Sequence, residues 1–329
     1  MSDLPLGRLF MFGFEGFSLP RQARDILEKD QALGAILFKR NIRSREQVYD
    51  LNRSIPGLVS VDQEGGRVAR LKGLCTDIPP MREIGQAARR DSELPYQIGY
   101  SMGLELKELG FDLDFAPVMD IDTNPNNPII GDRSFSRDPD EVARFGSRFI
   151  KGLQAAGILA CAKHFPGHGD TDTDSHLDLP VITHGKDRIA HIELHPFRAA
   201  IQAGVASIMT AHILVPALDP VYPATLSHSI LTGLLREKLG YEGVVVSDDL
   251  EMHAVADRYS IRELVRLGLL AGVDLFLVCK ELDKTREAIN AAHDLVDQGE
   301  VPKKRVLEAL GRVAKLKIGH RLLRNGNPG

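Results

Sequence analysis

One pattern of apolar and polar positions returns along the chain: an amphipathic stretch, a glycine, then a short apolar run ending in polar residues. Gly34 leads into the run 35–38 and then Lys39-Arg40-Asn41, and Gly57 leads into 58–61 and then Asp62-Gln63-Glu64. Gly110 precedes 111–116, followed by Pro117, Met119 and Asp120; Gly157 precedes 158–162, followed by Lys163-His164. Gly204 precedes 207–209 and Thr210-Ala211-His212, Gly243 precedes 244–246 and Ser247-Asp248-Asp249, and Gly272 precedes 273–278 and Cys279-Lys280. With the run 9–14 at the start, eight strands are expected. A continuous apolar run suits a parallel strand covered on both faces by helices, and the glycines read as helix ends in the left-handed conformation.

The segments between the runs have helical periodicity. Val142, Phe145, Phe149 and Leu153 share one face, as do Ile98, Met102, Leu106 and Leu109. Phe197 and Ile201 form an i,i+4 pair in 196–203, where Pro196 suits a first helical turn. A last helix is expected over about 302–323. Eight strand-then-helix units predict a (β/α)8 TIM barrel, with 1–329 forming a single domain. A doubly wound open sheet is the alternative. It is disfavoured by the count of eight and by the lack of a Gly-rich dinucleotide fingerprint after any strand.

Composition narrows the class without changing this picture. The 329 residues are 43% hydrophobic and 26% charged, enough apolar material for a core without metal or disulfide staples. A net charge of −4, with both signs interspersed, argues against a nucleic-acid partner. No apolar run approaches the roughly 18 residues of a membrane span, and residues 1–14 do not read as a signal peptide. Cys75, Cys161 and Cys279 lie far apart, and the last two sit in expected strands. Unpaired buried thiols fit a reducing compartment, so a soluble cytoplasmic protein is expected, with the oligomeric state left open.

In a barrel the polar residues at strand ends converge on one mouth. Here these are Asp62, Asp120, Lys163, His164, His212 and Asp248. The densest stretch is the expected loop 163–176, with three histidines and three aspartates in 14 residues. Asp170, Asp172 and Asp174 copy the 1, 3, 5 spacing of a calcium loop, but Ser175 stands where the turn glycine belongs and Val181 where the bidentate glutamate belongs. His164 and His168 offer two zinc ligands, and nothing around them fixes a third. A solvated polar loop is the plain alternative, although long loops between buried strands are more often functional.

Lys-His-Phe-Pro-Gly-His-Gly at 163–169, followed by Asp-Ser-His at 174–176, resembles the signature of the glycoside hydrolase family 3 β-N-acetylglucosaminidases of NagZ type. Val-Asp-Gln-Glu-Gly-Gly-Arg-Val at 61–68 and Ser-Asp-Asp-Leu at 247–250 are similar to that family's other two markers, in family order and over nearly the whole chain. The resemblance implies Asp248 as nucleophile, His176 as general acid/base and Asp174 as the carboxylate that orients it. It further implies Asp62, Arg70, Arg133, Lys163 and His164 as sugar-holding residues. Relatives of this length are single barrels without the extra α/β domain of many β-glucosidases. The implied activity is retaining exo-cleavage of terminal β-linked N-acetylglucosamine, with small carbohydrates such as muropeptides as substrates and no cofactor or metal.

The residues themselves fit these roles. Asp248 ends an apolar strand, and a retaining glycosidase needs a carboxylate there to attack the anomeric carbon. A histidine with a pKa near ~6.5 can serve as acid/base when a carboxylate fixes its tautomer and stabilises the imidazolium. Plain readings exist too. Asp248 could be a helix N-cap, Asp62 and Arg70 a surface ion pair, and Gly65-Gly66 a turn needing positive φ. Asp249 competes with Asp248, though strand alternation should send only one of them to the site. Transfer of the glycosyl group to phosphate, a catalytically silent sugar-binding barrel and a metallohydrolase are the rival functions.

Overall fold

A computed structural model describes residues 4–171 and 179–325, with side chains as far as residue 316. All eight expected strands form: β1 (Phe10–Phe12), β2 (Gly34–Leu37), β3 (Leu58–Val61), β4 (Leu113–Asp114), β5 (Leu159–Phe165), β6 (Ser207–Thr210), β7 (Val244–Asp249) and β8 (Leu275–Val278). Every neighbouring pair is parallel, each strand lies beside its neighbours in sequence, and β8 closes on β1 with Phe10 opposite Phe276. This is the closed (β/α)8 barrel.

The helical faces also form as read. In helix Pro139–Ala155, Val142, Phe145, Phe149 and Leu153 are all buried. Helix Leu94–Glu108 buries Met102 and Leu106, leaving Ile98 half-buried. Helix His195–Gln202 buries Phe197 while Ile201 is half-buried, and the last helix is Lys303–Asn325. Among the described residues no helix is long and apolar enough to cross a membrane.

Three local expectations need correction. The run 111–116 yields only a two-residue strand. Asp112 and Phe115 still donate to the carbonyls of Val59 and Val61, but Pro117 lacks the N–H that would extend the ladder. Lys163 and His164 belong to β5 itself rather than to the loop after it, whereas Asp248 lies at the end of its strand, β7, as read. Left-handed glycines end the preceding segments at Gly110, Gly157, Gly204 and Gly272, but Gly34, Gly57 and Gly243 have other conformations. At Gly34 the requirement is space: a Cβ would lie 1.8 Å from the Leu58 carbonyl oxygen on the neighbouring strand.

Candidate active site

At the C-terminal ends of the strands opens a cavity of about 280 Å³. Asp62 follows β3 directly. A short antiparallel ribbon, Gln63–Gly65 against Val68–Ala69, then carries Glu64 and Arg70 to the same mouth. Its turn uses Gly65 and Gly66 at φ 97° and 56°, as the sequence required. The cavity wall includes Asp62, Glu64, Arg70, Arg133, Lys163, His164, His168, Asp248 and Asp249, so every described residue implied as catalytic or sugar-holding meets there.

Four of these groups form one buried charge network. Lys163 Nζ lies 2.9 Å from Asp62 Oδ1 and 2.7 Å from Glu64 Oε1. Arg133 grips Glu64 with two parallel bonds of 2.7 and 2.8 Å, the bidentate geometry specific to a guanidinium. Arg70 approaches Asp62 Oδ2 at 3.4 Å and faces the Phe38 ring. Burial pushes the Asp62 and Glu64 carboxyls up, but the cations outweigh it. Lys163 and Arg70 hold Asp62, and Arg133 and Lys163 hold Glu64, below the ordinary carboxylate range. Burial likewise disfavours the Lys163 ammonium, yet Asp62 and Glu64 keep it charged above its usual range. The plain reading of Asp62 and Arg70 as a surface pair fails, because Asp62 is tied to a buried lysine 101 residues along the chain.

Asp120 organises the next wall. Buried at 1% exposure, it accepts the backbone N–H of His164 at 3.2 Å and of His168 at 2.7 Å, and it meets His164 Nδ1 at 2.7 Å. That contact fixes the His164 ring through Nδ1. Burial, helped by the neighbouring His164, pushes the His168 imidazole down to about 4, so it is neutral at neutral pH.

The two aspartates at the end of β7 differ in their bonds. Asp249 Oδ1 accepts the backbone N–H groups of Glu251 and Cys279, both at 3.1 Å, and so ties β7 to the end of β8. Burial raises its carboxyl to about 6. Asp248 Oδ1 accepts the N–H of Asp249 at 2.8 Å. Alternation does not send them to opposite sides: both line the cavity, at a point where the β7–β8 register shifts.

Not every strand-end residue reaches the cavity. His212 is held by Thr225 Oγ1 at 2.8 Å and the Asp249 carbonyl at 3.0 Å, so its ring braces the end of β7 and does not line the mouth. Asp174 and His176 lie outside the described residues, as does Asp172. Asp170 is engaged by Thr123, His184 and Arg188, which already occupy the carboxylate that a calcium loop would use. Glu64 was not singled out from the sequence. A signal was there, because Asp62 and Glu64 sit two residues apart, the spacing that puts side chains on one face of an extended chain.

Residues 4–316 match the Glycosyl hydrolase family 3 N terminal domain. Beta-hexosaminidase A of Pseudoalteromonas piscicida is 34% identical over 331 residues, covering 91% of this chain and 55% of its own length. The structure of a glycoside hydrolase family 3 beta-N-acetylglucosaminidase from a Paenibacillus species superimposes with a TM-score of 0.94 at 40% identity, over 99% of this chain and 63% of that one. NagZ from Neisseria gonorrhoeae, in complex with N-trifluoroacetyl-D-glucosamine, superimposes with a TM-score of 0.83 at 34% identity, over 96% and 92%. The chain thus spans just over half of the Pseudoalteromonas relative and under two thirds of the Paenibacillus one. It belongs to glycoside hydrolase family 3.

Proposed function

We propose that the protein is a retaining exo-β-N-acetylglucosaminidase, acting as a single barrel domain over 1–329. The observation that carries this reading is a cavity of about 280 Å³ lined by Asp248 together with a pre-formed set of charged groups. That volume lies near the small end of ligand sites, which run to about 300–1,000 Å³, and it suits one terminal sugar rather than a chain crossing the site. The Pseudoalteromonas, Paenibacillus and Neisseria relatives, by the names they bear, support a hexosaminide as the substrate class.

Asp62, Lys163, His164, Arg70 and Arg133 would hold the sugar hydroxyls. Their side chains are held by ion pairs and hydrogen bonds to Asp62, Glu64 and Asp120, so they reorganise little when a substrate enters. An Asp248 carboxylate oxygen then attacks the anomeric carbon. The glycosidic C–O bond breaks, its electron pair stays on the departing oxygen, and that oxygen takes the proton of the His176 imidazolium. In the second step water attacks the same carbon, His176 takes its proton, and the bond to Asp248 breaks, leaving the sugar in its original β configuration. Asp174 stabilises the cationic form of His176. Muropeptide fragments in the cytoplasm are the natural substrates on this reading.

The deciding experiment follows hydrolysis of an aryl β-N-acetylglucosaminide by NMR, with and without phosphate, for wild type and Asp248→Ala. The β-anomer as first product, phosphate independence and near-complete loss in the variant are expected. An α-anomer, a sugar phosphate, or an active Asp248→Ala would each overturn the assignment.

A further inference from the structure

The loop after β4 brings Arg133 to the cavity through a turn that closes on itself. Asn127, 7% exposed, accepts the backbone N–H groups of Ile129 and Ile130 on Oδ1 at 2.8 and 2.9 Å. The carbonyls of those same two residues then hold Arg133. Ile130 accepts its backbone N–H at 2.9 Å, and Ile129 accepts Nη1 at 3.1 Å. From this turn the guanidinium reaches Glu64. At the other end of the Asn127 amide, Nδ2 donates to the His168 carbonyl at 2.9 Å. It also lies 3.3 Å from Thr171 Oγ1, the atom that meets His168 Nδ1 at 2.7 Å. Outside the turn, Arg67 donates to the carbonyls of Pro128, Ile129 and Ile130 and pairs with Asp132 at 3.1 Å.

We propose that Asn127 is a positioning residue for the wall of the cavity made by Ile129, Arg133 and His168. This role rests on the reading above that the cavity takes the terminal N-acetylglucosamine. Asn127 does not itself line the cavity, so it acts through those three residues, which do. An amide side chain offers an acceptor oxygen and two N–H donors, and here both ends are used. The oxygen shapes the turn, and the nitrogen ties that turn to the segment after β5. Two loops that could shift independently are thereby fixed as one wall. Arg133 is sensitive to such a shift, because its two parallel bonds to Glu64 depend on direction as well as distance. A displacement of about 1 Å in a group that holds a substrate can cost roughly 10²-fold. Without the amide, the Ile129 and Ile130 N–H groups and the His168 carbonyl lose that partner at once.

A residue that only stabilises the loop lowers the melting temperature and leaves the constants of the folded enzyme alone. One that sets the wall changes how the sugar is held. The test measures kcat and KM on para-nitrophenyl β-N-acetylglucosaminide, the inhibition constant of free N-acetylglucosamine, and the thermal melt. It compares wild type, Asn127→Ala and Asn127→Asp. In Asn127→Ala, KM and the inhibition constant are expected to rise together by about tenfold or more. kcat should change by less than about threefold, because Asp248 stands on β7, three strands round the barrel from β4. Asn127→Asp keeps an oxygen for the turn but sets a second oxygen against the His168 carbonyl, so both constants should rise by about three- to tenfold. A lower melting temperature with an unchanged inhibition constant overturns the positioning role, and so does a fall in kcat with binding intact. If wild type neither cleaves the substrate nor binds N-acetylglucosamine, the assignment of the cavity is at fault and the role falls with it. Should Asn127→Ala fail to fold, as its melt would reveal, Asn127→Asp decides on the same constants.

Discussion

The barrel carries a buried charge cluster at each end, and the two behave as opposites. At the base, Asp274 precedes β8 with no exposed surface, and its two oxygens are filled by Arg236, Arg305, Arg312 and the Val245 N–H. The arginines add bonds to the carbonyls of Tyr241, Gly243, Leu269 and Val273, so the protein consumes the charge internally and clasps its last helix to the barrel floor. At the mouth, Asp62, Glu64, Lys163 and Arg133 pair just as closely, yet all four also face the cavity. Similar residue types buried in one fold thus do two jobs. A cluster closed on all sides holds the chain together, and one left open on a side is prepared to bind.

Removing Asp248, the proposed nucleophile, should give the largest difference between the ends. Asp248→Asn is expected to lower kcat by at least ~10³-fold, about 4 kcal/mol or more in the barrier, with the melting temperature nearly unchanged. The neighbouring Asp249→Asn should keep far more activity, because Asp249 Oδ1 holds the backbone N–H groups of Glu251 and Cys279 and so serves to tie β7 to the end of β8. Comparable losses in the two variants would erase the distinction between them. Asp274→Ala should do the reverse of Asp248→Asn. It strands three guanidinium groups and should cost about 3–5 kcal/mol of stability in a urea titration, while kcat/KM of the folded fraction stays at the wild-type value. A loss of activity without a loss of stability would make the base part of the site.

The contrast also explains what could be read from the sequence. The eight strands were legible because each is a short, mainly apolar run bounded by polar residues, a local signal. The limits of β5 were not. Lys163 and His164 read as loop because a lysine and a histidine look costly inside a buried strand, and their cost is offset by Asp62, Glu64 and Asp120, whose positions only folding reveals. Glu64 was passed over for the same reason, since its partner Arg133 lies 69 residues away. Asp274 was hidden within the apolar run 273–278, where one acid does not break the pattern. Motif resemblance supplied Asp248 and the sugar-holding set, but it could not say that the cations and anions among them neutralise one another.

The open cluster can be probed without touching Asp248. Lys163→Met leaves Asp62 and Glu64 facing each other and the cavity with one fewer cation. If Lys163 also holds a sugar hydroxyl, kcat/KM should fall by roughly 10–100-fold, the worth of a hydrogen bond to a charged group, about 1.5–3 kcal/mol. An unchanged kcat/KM with lower stability would make Lys163 a counter-ion only, and would move the mouth toward the base in kind.

The smallest effect expected is in the pH dependence of stability, where two groups at the mouth oppose each other. His168, pushed down to about 4 by burial, is neutral in the folded protein where an unfolded histidine, near ~6.5, would be charged. The unfolded chain therefore binds the extra proton between about pH 4 and 6.5, and stability from this residue rises with pH across that window. Asp249, raised by burial to about 6, keeps its proton in the folded state down to pH values where the unfolded carboxyl has lost it, near ~3.9. Its contribution is complete below that lower value and declines as pH rises toward 6. Between about pH 4 and 6 the contributions of these two residues cancel in large part. Relative to wild type, His168→Asn should add a slope of stability falling as pH rises, up to ~1.4 kcal/mol per unit, and Asp249→Asn a slope of the opposite sign. Urea midpoints at several pH values read both slopes. Two variants sloping the same way would show that the residues lining the cavity do not carry separate protonation states. The mouth would then titrate as one unit.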